Sequence, residues 1–344
     1  MLRVTLLGAL GFCLALFSEG AAHAATLRVP AQYRTIQAAV DAATAGDRIV
    51  VGRGRYCGAT LTKPLSLEAR GKVRIIGCAT SPIISTDLRI GFYLPGTQGT
   101  NPASGSSIRG FVFDGRDVAN TNLEPLAFGV FARFASDVTV AQNRFDGTVQ
   151  AITNTGGDRW RIQNNVVSHL TLLDCTSHCT GGDGIVIALA LGSIAAPGGS
   201  SAPLNRPEDN IVVNNRIEGT APDGFSVFSM AGVLLLAADH TTVLENQLRL
   251  RDNPSAAAVG QGILVANTCC GLGTSFLPGA RFTSLIRNDA RASEAGIIVD
   301  GAGGANTLGL FSYRNRGSVT VEGTQIQALA LTLAPAPARA EPTL

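Results

Sequence analysis

One short pattern recurs along this chain and limits its possible folds more than any other feature. It reads "VTVAQNRF", "WRIQNNVV", "IVVNNRI", "TTVLENQL" and, in a weaker copy, "FTSLIRND". Apolar residues alternate up to an asparagine, and all but the weak copy resume the alternation after it. The aligned asparagines are Asn143, Asn165, Asn215, Asn246 and Asn288. "SIRGFVFDG" is an asparagine-free relative, because its "FDG" matches the "FDG" at Phe145. A second motif, G-I-x-V, lies between the copies. It is "GVFA" at Gly129, "AITN" at Ala151, "GIVI" at Gly184, "GVLL" at Gly232, "GILV" at Gly262 and "GIIV" at Gly296.

The tightest spacing, Asn143 to Asn165, is 22 residues, and longer spacings contain insertions. Alternation with a period of two specifies strand rather than helix. A repeat in the twenties with short strands in each unit specifies a solenoid, whose coils bury their apolar sides only by stacking. Equivalent asparagines then pile up at one corner. Each amide is expected to donate to one neighbour and accept from the other, as stacked asparagines do in in-register parallel β assemblies. Only one asparagine column is needed, so Asn164 and Asn214 read as turn residues.

The chain has 344 residues and is 45% apolar, with 40 glycines, which suits one large core built from many short strands and turns. A formal net charge of +2 gives no sign of a nucleic-acid partner. Arg3, the apolar stretch Val4 to Phe17 and the small-x-small site Ala22-His23-Ala24 read as a signal peptide over residues 1–24. That stretch is too short to span a membrane. The mature protein is therefore expected to be exported, periplasmic or secreted. Cys57, Cys78, Cys175, Cys179, Cys269 and Cys270 remain, an even number that in an exported chain points to disulfides. Cys175 and Cys179 could close a small loop, or pair with Cys269 and Cys270.

An open solenoid needs its ends covered. "TIQAAVDAATAG" offers a short capping helix, with Thr35 as N-cap and Ile36, Ala39, Val40 and Ala43 on one apolar face. The segment Thr35 to Tyr56 resembles the entry segment of pectin-lyase-like right-handed parallel β-helix proteins, and the downstream repeats resemble their generic repeat. The resemblance implies an all-β, single-stranded right-handed parallel β-helix over residues 25–325, of roughly ten coils at the observed repeat length. Residues 326–344 are then a terminal strand remnant and an alanine- and proline-rich tail. It also places Cys57 and Cys78 about one coil apart, where a bridge would staple two early coils.

In that superfamily substrates lie on the outward face of one sheet, which the G-I-x-V strands resemble. The outward positions would be Phe131, Thr153, Val186, Leu234, Leu264 and Ile298, a mostly aliphatic row expected to be covered by the chain's own inserts. The chain has no Gly-His-Gly, no Asp-Asp pair and no Asp-Pro-His, so the resemblance carries no catalytic set onto it. Insertions over residues 168–183, 219–231 and 251–261 precede three of the G-I-x-V strands, and binding residues concentrate on such loops. Weak catalytic candidates are Asp174, His178, Asp183, Asp223 and Arg251. Asp183, Asp223, Arg251 and Asp252 are candidates to bind substrate. Asp183 and Asp223 each precede a glycine and also suit turns. His169, Cys175, His178 and Cys179 suggest zinc, but a tight cluster in an exported chain reads first as a disulfide loop, so no metal site is assigned. The resemblance alone admits Ca2+. The functional expectation is a protein that binds a polysaccharide or cell-surface glycan through its insertion loops. The alternative is a lyase or epimerase acting on uronic-acid-containing glycans.

Overall fold

The computed structural model describes residues 24–84, 88–118, 126–171, 182–189, 205–220, 230–251, 260–266, 280–300, 307–322 and 326–333. The predicted signal segment before residue 24, and Asp174, His178, Asp223, Asp252, Cys175, Cys179, Cys269 and Cys270, lie outside these residues.

The two sequence motifs become three parallel sheets. The G-I-x-V segments form sheet one: Leu88–Leu94, Leu126–Arg133, Gln150–Thr155, Asp183–Ala188, Met230–Leu236, Gly260–Ala266, Ala295–Asp300 and Val319–Glu322. Segments leading up to the asparagine form sheet two: Ser107–Arg109, Thr139–Ala141, Arg161–Gln163, Ile211–Val213, Thr242–Leu244, Ser284–Ile286 and Thr307–Asn315. Segments after it form sheet three: Val112–Val118, Arg144–Asp146, Val166–Leu170, Arg216–Thr220 and Gln247–Arg251. The chain passes from sheet two to three to one and re-enters sheet two one coil further on, which is a parallel β-helix. Near the entry, the long strands Arg48–Cys57 and Ser66–Gly77 run through the corner and join sheets two and three.

Register follows from the inward residues. Val130, Ile152, Ile185, Val233, Ile263 and Ile297 stack on sheet one, and Val140, Ile162, Val212, Val243 and Leu285 on sheet two. Phe113, Phe145, Val167, Ile217 and Leu248 stack on sheet three, the two phenyl rings lying 4.6 Å apart and 6° from parallel. All are buried. Each such side chain contributes about 1.5–3 kcal/mol relative to exposure. A slip of one residue would turn a whole column outward.

The corner between sheets two and three explains the paired asparagines. Asn164 and Asn214 have φ of 55° and 54°, and Gln142, Glu245, Arg287 and Arg314 take the same left-handed conformation in other coils. Asparagine tolerates that region better than most residues. The next residue turns inward. Asn165 Nδ2 donates to Val140 O at 2.9 Å on the preceding coil and to Asn215 Oδ1 at 3.0 Å on the following one, while Asn165 Oδ1 accepts from Asn143 N at 3.0 Å and Nδ2 at 3.2 Å. The same bonds link Asn215 to Asn246 and Asn246 to Asn288. The amide thus donates along both directions of the axis rather than one, because the preceding coil offers a backbone carbonyl as well as an asparagine. Asn315, which the sequence pattern did not single out, continues the series, and Phe111 takes the seat before Asn143.

The helix Ile36–Ala42 is the only one among the described residues. The Thr35 hydroxyl accepts from Ala38 N at 3.1 Å, satisfying a free N–H of the first turn. Ile36, Ala39, Val40 and Ala43 join the same apolar cluster as Leu27 and Ile49. Cys57 and Cys78 form a disulfide. At the far end Ile326–Leu333 pairs in parallel with Thr307–Asn315. No described helix is long and apolar enough to cross a membrane.

Candidate functional site

Two outward faces carry chemistry, and they are built differently. On sheet one, Phe131, Thr153, Val186, Leu234, Leu264 and Ile298 align in register outside the main core. Phe131 packs with Ile90, Ala127 and Phe128, and Val186 with Ala188, Leu236 and Ala266. Phe131, Thr153 and Val186 are buried, whereas Leu234, Leu264 and Ile298 are half-buried. This face is an apolar surface largely closed to solvent.

Asp183 begins one of its strands, rather than lying on a loop, and is only 6% exposed. Its Oδ1 accepts from Ala231 N at 3.3 Å and its Oδ2 from Gln150 Nε2 at 3.4 Å, while Gln150 Oε1 accepts from Thr153 Oγ1 at 2.6 Å. Burial pushes the Asp183 carboxyl up to about 7, against the weaker pull of those two donors.

Sheet three faces an open cleft of 510 Å³ lined by Arg116, His169, Leu170, Thr171, Glu218, Gly219, Thr220, Arg249 and Arg251. It follows from alternation. In "QLRLR", Leu248 and Leu250 point into the core, so Gln247, Arg249 and Arg251 point outward. The neighbouring strand sets Glu218 beside Arg249 and Thr220 beside Arg251. Arg249 also borders an adjoining hollow with Asp289 and Arg291, which form a two-pronged ion pair at 2.9 and 2.7 Å. Glu218 is paired with Arg216 at 3.1 Å. Arg249 and Arg251 have no ion-pair or hydrogen-bond partner among the described residues.

At the other side of the cleft, His169 Nδ1 lies 2.7 Å from Asp146 Oδ1. Asp146 also binds Arg116 Nη2 at 2.8 Å and faces Arg144 Nη2 at 4.0 Å. Burial raises the Asp146 carboxyl, but the His169 hydrogen bond and the charges of Arg116, His169 and Arg144 outweigh it and hold the carboxyl below its usual value.

Of the residues singled out in the sequence, Arg251 lines the cleft, and Asp183 does not. Arg116, Asp146, Glu218 and Arg249 escaped sequence reasoning, and His169 was weighed only as a zinc ligand. The outward alternation of "QLRLR" could have found Arg249. The Asp146–His169 contact joins two coils, 23 residues apart, and needed the register. Trp160 is fully buried and donates from Nε1 to Ala135 O at 2.6 Å, a packing role. His240 is exposed and stacked 4.8 Å from Phe282.

No family model and no curated protein matches the chain. Solved structures do. An alginate lyase from Paenibacillus sp. str. FPU-7 is 14% identical, with 85% of this chain and 96% of that one covered and a TM-score of 0.42. Pectate lyase Pel9A is also 14% identical, with 88% and 76% covered and a TM-score of 0.48. A polygalacturonase from Erwinia carotovora ssp. carotovora is 9% identical, with 89% and 96% covered and a TM-score of 0.44. What makes this chain a parallel β-helix is its own strand pairing.

Proposed function

We propose that this is an exported parallel β-helix protein that binds an anionic polysaccharide or cell-surface glycan across the outer face of sheet three. The observation that carries the reading is the pair Arg249 and Arg251, two cations without described partners on the wall of an open cleft that also offers Thr171 and Thr220 hydroxyls. An exposed guanidinium is well suited to grip carboxylate or sulfate with two parallel hydrogen bonds. The coils repeat along the cleft, which suits a polymer better than a compact ligand. Export is supported by the signal-like first 24 residues and by the Cys57–Cys78 bridge, since such bonds persist in oxidising compartments.

Calorimetric titration with polygalacturonate, alginate and a neutral glucan tests the reading. The charged polymers should bind, the neutral one should not, and added salt should weaken binding. The double variant Arg249→Ala/Arg251→Ala should lower affinity at least tenfold without changing the melting temperature. Equal affinity for the neutral glucan would overturn the proposal. A second reading, a lyase or epimerase acting on uronic-acid-containing glycans, is favoured by one observation, the Asp146–His169 contact.

A further inference from the structure

We propose that the outer face of sheet two pairs two copies of this chain side by side, about a twofold axis that runs along the solenoid. The inference is independent of the glycan cleft on sheet three. Alternation points the first and third residue of each short strand outward. Over the early coils those positions are polar, with Glu68, Arg109 and Arg161 among them. From the coil of Ile211 onward the face turns apolar, through Ile211, Val213, Leu244, Ile286, Phe311 and Tyr313. Val213 is buried between its sheet neighbours and the other five are half-buried. None of the six joins one of the three packed apolar clusters. Apolar side chains gathered on one outer face mark an interaction surface.

The rims of the face say what docks there. On the side of sheet one, the residue two places before each strand is left-handed, with φ of 53° at Arg159, 56° at Asp209, 47° at His240 and 50° at Phe282. A bulky side chain is rare in that region, and such strain concentrates where a side chain has a job. Phe282 is nevertheless 48% exposed. Its ring stacks on His240 and lies over Gly309, where a Cβ would come within 2.6 Å of it. The ring is held in place without being buried, so a contact with another molecule costs little further ordering. On the side of sheet three the matching left-handed residues are Asn164, Asn214, Glu245 and Arg287, the last two ion-paired.

A second copy of the same face is the occupant that both rims fit. An axial twofold sets the first residue of each strand against the third residue of the same strand in the other copy, and one rim against the opposite rim. Apolar coils then meet apolar coils, and polar coils meet polar ones. His240 comes opposite Glu245 of the other copy, a donor facing a carboxylate. Phe282 comes opposite the apolar stem of Arg287, and Arg159 opposite Asn164, so no like charges meet. A twofold across the middle of the face would instead lay Arg109 and Arg161 on the apolar coils and bury charge without a partner. Strands spaced about 4.8 Å over roughly 38 Å of sheet, and roughly 17 Å across, cover roughly 650 Å² per copy before side-chain relief is counted. That is near the roughly 800 Å² per partner of a specific interface.

The test measures the mass of the purified mature chain by light scattering across a dilution series. It should be twice the mass of one chain at about 100 µM and fall to one on dilution. A single-chain mass at the highest concentration overturns the proposal, as does a mass that climbs past two chains, which marks a contact that does not close. Leu244→Glu/Ile286→Glu should weaken pairing at least about 100-fold while the melting temperature of the dilute protein stays the same, because both side chains face outward in the single copy. Phe282→Ala, which removes only an exposed ring, should weaken pairing about tenfold and serves as the test where the charged variant fails to fold. Undiminished pairing in Phe282→Ala, or in a folded charged variant, overturns the assignment of the face. The arrangement is read by Phe282→benzoylphenylalanine, which on illumination should join two copies through the segment around Arg287. A crosslink that maps to any other surface sinks the axial twofold.

Discussion

Asn215 and Asp183 are both buried polar side chains on the same stack of coils, yet one is saturated and the other is not. Asn215 Oδ1 accepts from the backbone N and side-chain Nδ2 of Asn165, at 2.9 and 3.0 Å, and its Nδ2 donates to Ile162 O, Val213 O and Asn246 Oδ1 at 3.0–3.1 Å. Asp183 accepts one backbone N–H at 3.3 Å and one amide at 3.4 Å. The difference lies in the neighbours along the axis. Asn215 sits between copies of itself. The in-register column through Asp183 reads Gln150, Asp183, Ala231, Gln261 and Ala295. A repeat satisfies a buried polar group when the next coil repeats the group as well.

The largest effect expected from this contrast is at the asparagine corner. Asn215→Leu strands the backbone N–H of Asn165 and removes the side-chain partner of the Ile162 carbonyl, while the Oδ1 of Asn246 loses one of its two donors and keeps the backbone N–H of residue 215. Each buried group left unpaired costs about 1–3 kcal/mol, so the variant should lose about 3 kcal/mol in a urea melt, allowing for partial relaxation. A loss under 1 kcal/mol would show that the column is decoration on a core that holds without it, and the contrast with Asp183 would collapse.

Asp183→Asn should act in the opposite direction, and only in one pH range. Burial raises the folded carboxyl to about 7 from its ordinary value of 3.8. Its pKa is raised, so the native state holds a proton that the unfolded chain has released between those values. Stability from this group is therefore complete below about pH 4, falls as pH rises towards 7, and is flat above. Parent and variant should melt alike at pH 4, and the variant should be more stable at pH 8, by an amount on the order of a few kcal/mol. Identical stability profiles across this range would mean that Asp183 stays ionised at its ordinary value, and that its surroundings are as well supplied as those of Asn215.

The same contrast explains what could be read from the sequence. The asparagine series and the apolar columns follow from repetition, and repetition is visible in one dimension, whereas the Cys57–Cys78 bridge was expected from the family resemblance. The cleft does not repeat. Arg249 and Glu218 face it because two strands pair in a particular register, and His169 meets Asp146 across two coils, one residue beyond the pair Asp146 and Ser168. Arg251 was identified because it stands at a strand end beside an insertion, where chemistry tends to gather. Asp183 was identified for the same reason and lies buried, since an aspartate before a glycine looks alike in a turn and at the start of a covered strand.

The smallest expected effect is the most direct comparison of the two columns. Gln261 lies two places beyond Asp183 in the same in-register series, and its Oε1 is buried without a hydrogen-bond partner. An asparagine of the corner series could not be replaced by an apolar residue without stranding its neighbours. Gln261 strands nothing on the oxygen side, because that oxygen is already alone. Gln261→Leu should therefore raise stability by about 1 kcal/mol, the desolvation cost removed. A loss of similar size would reveal a partner for the amide, and would mean that the outer column of sheet one, like the asparagines, is held together by polar contacts that each coil supplies to the next.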